Sequence, residues 1–149
     1  MDVTLRPDEG RQALLEAVAR ALAPPRRVLV IAAERESRDE LRQLLADPRL
    51  ELLDARDAQE GLRRAREERP AAVVIDASSP GFAGSAAALL RGDPQACPLP
   101  LLVRAARSLA GEEQQELSRA DARVVELQQL VREEAGRRLR AAVWETTHG

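Results

Sequence analysis

The side chains able to do chemistry in this sequence are few and poorly supplied with partners. Asp76 ends an apolar run, AVVID, and is followed closely by Ser78 and Ser79. A serine nucleophile needs a base beside it, and the only histidine, His148, lies in the C-terminal tail. Cys97 is the only cysteine, so no internal disulfide forms, and one Cys with one His cannot build a Cys/His zinc site. Its place between Ala96 and Pro98 reads as structural. The 23 basic residues are all arginine, which removes Schiff-base and lysine-nucleophile chemistry. Arg104 and Arg123 lie at the ends of neighbouring apolar runs. Two roles are open to them: ion pairs with Asp76 or Glu126, or a site for a small anion. Enzymatic catalysis is the least supported function.

Composition narrows the classes further. A chain of 149 residues is expected to be one domain with room for a core. Its 44% hydrophobic and 32% charged residues are ordinary for a globular protein. The net charge of -2 gives no basic field for nucleic acid. Phe82 and Trp144 are the only aromatics, which argues against the stacking platforms of single-strand binders. There is no apolar run of membrane-spanning length, and residues 1–4 do not read as a signal peptide. The expected location is the cytoplasm.

The elements that must position Asp76 follow from periodicity. Leu14, Leu15, Val18 and Leu22 share one face of a helix over 8–23, which Pro24-Pro25 ends as a spacer. RVLVI, 27–31, reads as a buried parallel strand. Ser37 and Glu40 are expected to form a capping box for the next helix, with Leu41, Leu44 and Leu45 inward. A strand over 50–53 precedes a helix opened by Asp57 and Glu60 and ended before Pro70. The third strand, 72–75, ends at Asp76. The loop SSPGFAG leads to an Ala/Leu helix up to Leu90. A strand over 100–103, a helix over 112–118, a strand over 123–125 and a helix over about 127–144 complete the chain. Leu127, Leu130, Val131 and Ala135 are expected to point inward. Such alternation predicts a doubly wound, largely parallel α/β sheet of five strands, with an extra N-terminal helix. The organisation is a helix and spacer over 1–25 and a domain over 26–149. In an open parallel sheet ligands sit beyond the carboxyl ends of the strands, at Ala32, Ala33 and Glu34, at Asp76, at Ala105 and at Glu126.

The segment RPAAVVIDASSPGFAG, residues 69–84, resembles the centre of the receiver domain of bacterial two-component response regulators. It matches that family's run of Pro, strand, phosphoacceptor Asp, three residues, Pro, three residues, Gly, at Asp76, Pro80 and Gly84. RVLVIAAERESRDELRQLL, LPLLVRAA and ADARVVEL resemble its first, fourth and fifth strands with their surroundings. The resemblance covers about residues 26–145 and implies a CheY-like, flavodoxin-like fold. It also implies an acyl-phosphate switch, in which Mg²⁺ is held by the Asp and an acidic pair after the first strand. A hydroxyl after the fourth strand and a Lys after the fifth would contact the phosphoryl group. In phosphoryl transfer the positive charges do most of the catalysis.

Measured against that pattern, only Asp76 survives. The acidic pair is Ala32 and Ala33, the hydroxyl position is Ala105, and the Lys position is Glu126, of opposite charge. Leu127 and Arg123 replace a Pro and an aromatic. Alanines give a hard cation no side-chain oxygen; Glu34, one position on, is the one carboxylate able to swing in. The expectation is a pseudo-receiver without Mg²⁺ or other cofactor that binds a protein partner or dimerises independently of phosphorylation. The alternatives are an atypical response regulator phosphorylated on Asp76 and a small-anion sensor. Pro80 and Gly84 read as loop geometry. By the resemblance, the expected interface is the surface of residues 112–140, with Arg123, Gln128 and an exposed Trp144 as aromatic anchor; the apolar face of the N-terminal helix, with Leu14 and Val18, packs either on its own domain or on a partner.

Overall fold

Beta-branched and leucine side chains at the start of the domain form β1, Arg26–Ile31, whose last four residues are buried. The computed structural model describes Leu14 and residues 26–77, 81–105, 107–126 and 132–148. The expected N-terminal helix, with Val18 and the spacer, lies outside the described residues. So do Pro80, Leu127, Gln128, Leu130 and Val131. Leu14 itself has helical backbone and is 65% exposed.

Among the described residues from 26 to 148, five strands and five helices alternate: β1, α1 (Arg35–Leu44), β2 (Leu50–Ala55), α2 (Ala58–Glu68), β3 (Ala72–Asp76), α3 (Phe82–Arg91), β4 (Leu101–Ala105), α4 (Gly111–Arg119), β5 (Arg123–Glu126) and α5 (Arg132–His148). The strands are parallel, in the order β2-β1-β3-β4-β5. This is the doubly wound, flavodoxin-like sheet that the alternation predicts.

Side chains on successive strand residues point to opposite faces, and each face has its own core. Leu29, Ile31, Val73, Ile75, Leu101 and Val103 pack with Ala65 of α2, Ala83, Ala86 and Leu90 of α3, and Leu117 of α4. Val28, Val30, Val74, Leu102 and Val125 pack with Leu41 and Leu44 of α1, and with Ala135, Leu139 and Val143 of α5.

Three local expectations are corrected. The Ser37–Glu40 capping box does not form. The N-cap is Glu34, without a side-chain cap bond, and Ser37 is buried inside α1. Asp57, by contrast, caps α2 by accepting from the Glu60 amide at 2.8 Å. Gly84 is not in a loop. It lies buried in α3, where the Glu116 side chain of α4 crosses the space that a Cβ would fill. Finally, β4 runs two residues further than its apolar core, because Arg104 and Ala105 continue the ladder beside β3 and β5.

Candidate functional site

The longer β4 decides what surrounds Asp76. Arg104 is the register partner of Asp76. Both follow by two positions a residue of the α1/α5 core, Leu102 and Val74, so their side chains emerge on that same face. There Arg104 Nε donates to Asp76 Oδ1 at 2.8 Å, and Arg104 Nη1 donates to Glu40 Oε1 of α1 at 2.9 Å. Asp76 is 1% exposed and Arg104 3%, while the Glu40 side chain is 47% exposed. One buried guanidinium thus joins β3, β4 and α1. An arginine stays charged in proteins, and a buried charge is tolerated only when paired and hydrogen-bonded. Asp76 Oδ2 is buried and has no hydrogen-bond partner among the described residues.

A second guanidinium closes the end of β1. Arg38 Nη1 donates to the carbonyl oxygens of Ala32 at 2.9 Å and Ala33 at 3.2 Å. Ala32 is buried, Ala33 exposed, and Glu34 exposed at the N-cap of α1.

The other expected pocket positions lie on β4 and β5. Ala105 belongs to the core on the α2–α4 side. Glu126 is exposed and is the register partner of Ala105. It lines a shallow cleft with Leu109, Gln114, Ser118 and Val124. With β4 between them, β5 lies two strand spacings from β3, about 10 Å at the backbone. The chain therefore brings Asp76 together with Arg104 and Glu40, while Ala105 follows Arg104 on the other face of the sheet and Glu126 stands one strand further away. Arg123 pairs with Glu145 at 2.8 Å, not with Glu126.

Beside the site, Glu113 of α4 is buried and takes a bidentate pair from Arg107, at 3.2 and 2.9 Å. Chiefly through that pair, and also through the Gly81 and Ala110 amides, its carboxyl is held below the ordinary range. This carboxylate ties the start of α3 to the segment after β4.

Trp144 is not an exposed anchor. It is half-buried against the α1/α5 core, and the guanidinium groups of Arg26 and Arg49 stand 5.1 and 4.4 Å from its ring centroid. Sequence reasoning also missed Glu40, assigned to capping. The available signal was the i, i+3, i+4 spacing that puts Glu40 on the face of α1 next to Ser37, Leu41 and Leu44.

Magnesium, which the resemblance implies, does not fit these residues. A hard divalent cation needs several oxygen ligands. The side chains after β1 offer none at Ala32 and Ala33, the carbonyls there accept from Arg38, and Asp76 Oδ1 accepts from Arg104. Among the described residues no group of three or more His, Cys, Asp or Glu side chains is placed to hold a metal, and no helix is long and apolar enough to cross a membrane.

No family model and no curated protein matches the sequence. Solved structures do match by fold. The chemotaxis response regulator CheY4 of Vibrio cholerae is 21% identical, with a TM-score of 0.64 over 80% of this chain and 98% of that one. The response regulator domain of Thermotoga maritima CheB is 17% identical, with a TM-score of 0.69 over 84% and 98%. The receiver domain of a sensor histidine kinase from Pseudomonas aeruginosa, which has a magnesium ion coordinated in its active-site cleft, is 16% identical. Its TM-score is 0.66 over 84% and 99%. The chain has the CheY-like fold of response regulator receiver domains.

Proposed function

We propose that the chain is a pseudo-receiver: a protein-binding or dimerising module of bacterial two-component signalling that works without phosphorylation. The observation carrying this reading is the buried pair of Asp76 with Arg104. A phosphoacceptor must present a carboxylate oxygen to an incoming phosphoryl group, in line with its leaving group and next to a metal. Here one oxygen is bound by an internal guanidinium and the other is buried. The residues that would hold the metal and contact the phosphoryl group are Ala32, Ala33 and Ala105. Small-anion sensing through Arg104 is disfavoured by its two carboxylate partners and its burial.

The partner surface in this reading is α4, β5 and α5 together with the N-terminal segment. The outer side of α4 presents Glu112, Gln114, Gln115, Glu116 and Ser118, all exposed and polar. Leu14 is the most exposed large apolar side chain among the described residues.

The alternative, phosphorylation on Asp76, has one specific observation in its favour: Oδ2 keeps its lone pairs free of any described donor. One experiment separates the two readings. The protein is incubated with Mg²⁺ and acetyl phosphate and its intact mass recorded, with Asp76→Asn as control. The expected result is no phosphoryl adduct. An adduct lost in Asp76→Asn makes the chain a phosphorylated regulator. Sedimentation with and without Leu14→Glu, under the same two conditions, then shows whether self-association exists and ignores acetyl phosphate.

A further inference from the structure

We infer that Arg104 is a built-in cation, whose guanidinium holds the place on Asp76 that a divalent metal ion would need and thereby decides that this pocket takes no metal. The inference rests on the pseudo-receiver reading and extends it, because it assigns the exclusion to a residue that is present, where the missing acids would assign it to residues that are absent.

The argument starts from what converges on the guanidinium. Two carboxylates from different elements, Asp76 of β3 and Glu40 of α1, meet one buried positive charge at 2.8 and 2.9 Å. Carboxylates gathered from separate elements around one cation are the usual ligand pattern of a divalent-ion site. The gathering happens beyond the carboxyl end of the central strands, where open parallel sheets bind ligands. The positive charge, however, is covalently part of the chain. It cannot dissociate, and it cannot be deprotonated at any ordinary pH.

Its effect on a competing metal is large. Like charges a few ångströms apart repel strongly in a site shielded from water. A divalent ion approaching Asp76 meets that repulsion for each of its charges while Arg104 stays in place. Arg38, on the Ala32 and Ala33 carbonyls, adds a second positive charge at the end of β1. Restoring an acid after β1 is therefore not enough to make a metal site.

The same geometry gives the cation a structural role. Glu40 lies in the middle of α1, and its bond to Arg104 is a polar tether between that helix and the sheet, above the apolar contacts of Leu41 and Leu44.

The test uses the full chain, with Mn²⁺ as the probe. Ala33→Asp adds an exposed carboxylate after β1 and keeps Arg104. Ala33→Asp/Arg104→Met adds the same carboxylate and removes the guanidinium with little loss of volume. Binding is read from paramagnetic broadening of backbone amide resonances, and the same spectra report whether each variant is folded. The expected result is no selective broadening at Asp76 and Ala77 in Ala33→Asp. In the double variant these signals broaden selectively, with affinity higher by about tenfold or more.

Equal Mn²⁺ binding by the two variants overturns the inference, as does a folded double variant without binding. If Arg104→Met fails to fold, Ala33→Asp/Arg104→Lys serves in its place. It keeps a positive charge there, and selective broadening in it overturns the inference while silence supports it. A phosphoryl adduct on the wild-type chain would sink the pseudo-receiver reading separately, since no arm of the Mn²⁺ experiment depends on it.

Discussion

Arg104 Nε and Asp76 Oδ1 are 2.8 Å apart because β4 pairs with β3 in the register that sets these two residues side by side. Nearly all of both side chains is out of water. A buried ion pair of this type is costly to break and cheap to replace, and the first prediction follows from that asymmetry.

Arg104→Met leaves a buried carboxylate without its cation and is expected to cost about 3–5 kcal/mol. Asp76→Leu/Arg104→Met removes both charges and is expected to be neutral or more stable than wild type by about 1–4 kcal/mol. Urea unfolding of the wild type, both single variants and the double variant closes the cycle. If the double variant is as unstable as the sum of the singles, the pair does not couple the two residues.

Most of the fold was legible in the sequence because the core is made of short apolar runs at strand length, alternating with helical patterns. Apart from the leading Arg27, RVLVI, AVVID and LLV carry no polar residue before their carboxyl ends, so they read as buried strands. The site was less legible. Arg104 interrupts an apolar run, and by pattern alone the strand ends at Val103, two residues early. Only the β3–β4 register shows that it continues the ladder opposite Asp76. Glu40 was read through local capping, whereas its actual partner is 64 residues away in the chain. Gly84 matched a loop pattern, yet it lies in a helix under Glu116. In each case a tertiary contact outweighed the local signal.

Trp144 shows the same effect, and it makes a prediction about stability where the sequence suggested an interface. The ring packs on the α1/α5 core, with the guanidinium groups of Arg26 and Arg49 over it. Trp144→Ala is expected to cost about 2–4 kcal/mol, less than truncating a fully buried tryptophan. Trp144→Phe keeps the packing and a weaker cation–π contact and is expected to cost about 1 kcal/mol. Thermal melts check this, with a drop of about 3 °C per kcal/mol for a chain of this size. An alanine variant with an unchanged melting temperature and a lost self-association or partner would return Trp144 to the role of surface anchor.

Two helical glycines are expected to respond oppositely to alanine. At Gly61 of α2 a Cβ would stand 3.0 Å from Ile31 Cγ1 and closer still to its Cδ1, within the packed core. Gly61→Ala is expected to lose about 1–3 kcal/mol by overpacking. At Gly84 the obstacle is mainly the far end of the Glu116 side chain, which is exposed and free to swing. Gly84→Ala is therefore expected to be neutral or to gain up to about 1 kcal/mol of helix propensity. Denaturant midpoints of the two variants settle the contrast; a large loss at Gly84 would mean that Glu116 is fixed in place.

Acid should weaken the fold through Glu113. Its carboxyl is held below the ordinary 4.5 of a glutamate, first by Arg107 and then by backbone amides. Asp93 is likewise lowered, mainly by Arg66, and Asp47, mainly by Arg49. A carboxylate whose pKa is lower folded than unfolded contributes stability that is complete above its unfolded value. That contribution is lost as the pH falls through the folded one. Stability should therefore hold near neutrality and decline progressively as the pH falls below about 5. Glu113→Gln should lower the melting temperature at neutral pH, because the glutamine cannot match the bidentate charge-assisted pair. It should also flatten the acid decline, since one of the protons taken up on unfolding is no longer involved. Melting temperatures of the two proteins across this range test the assignment. Parallel pH profiles would show that Glu113 contributes no linked proton, and that the tie between the start of α3 and the segment after β4 does not depend on its charge.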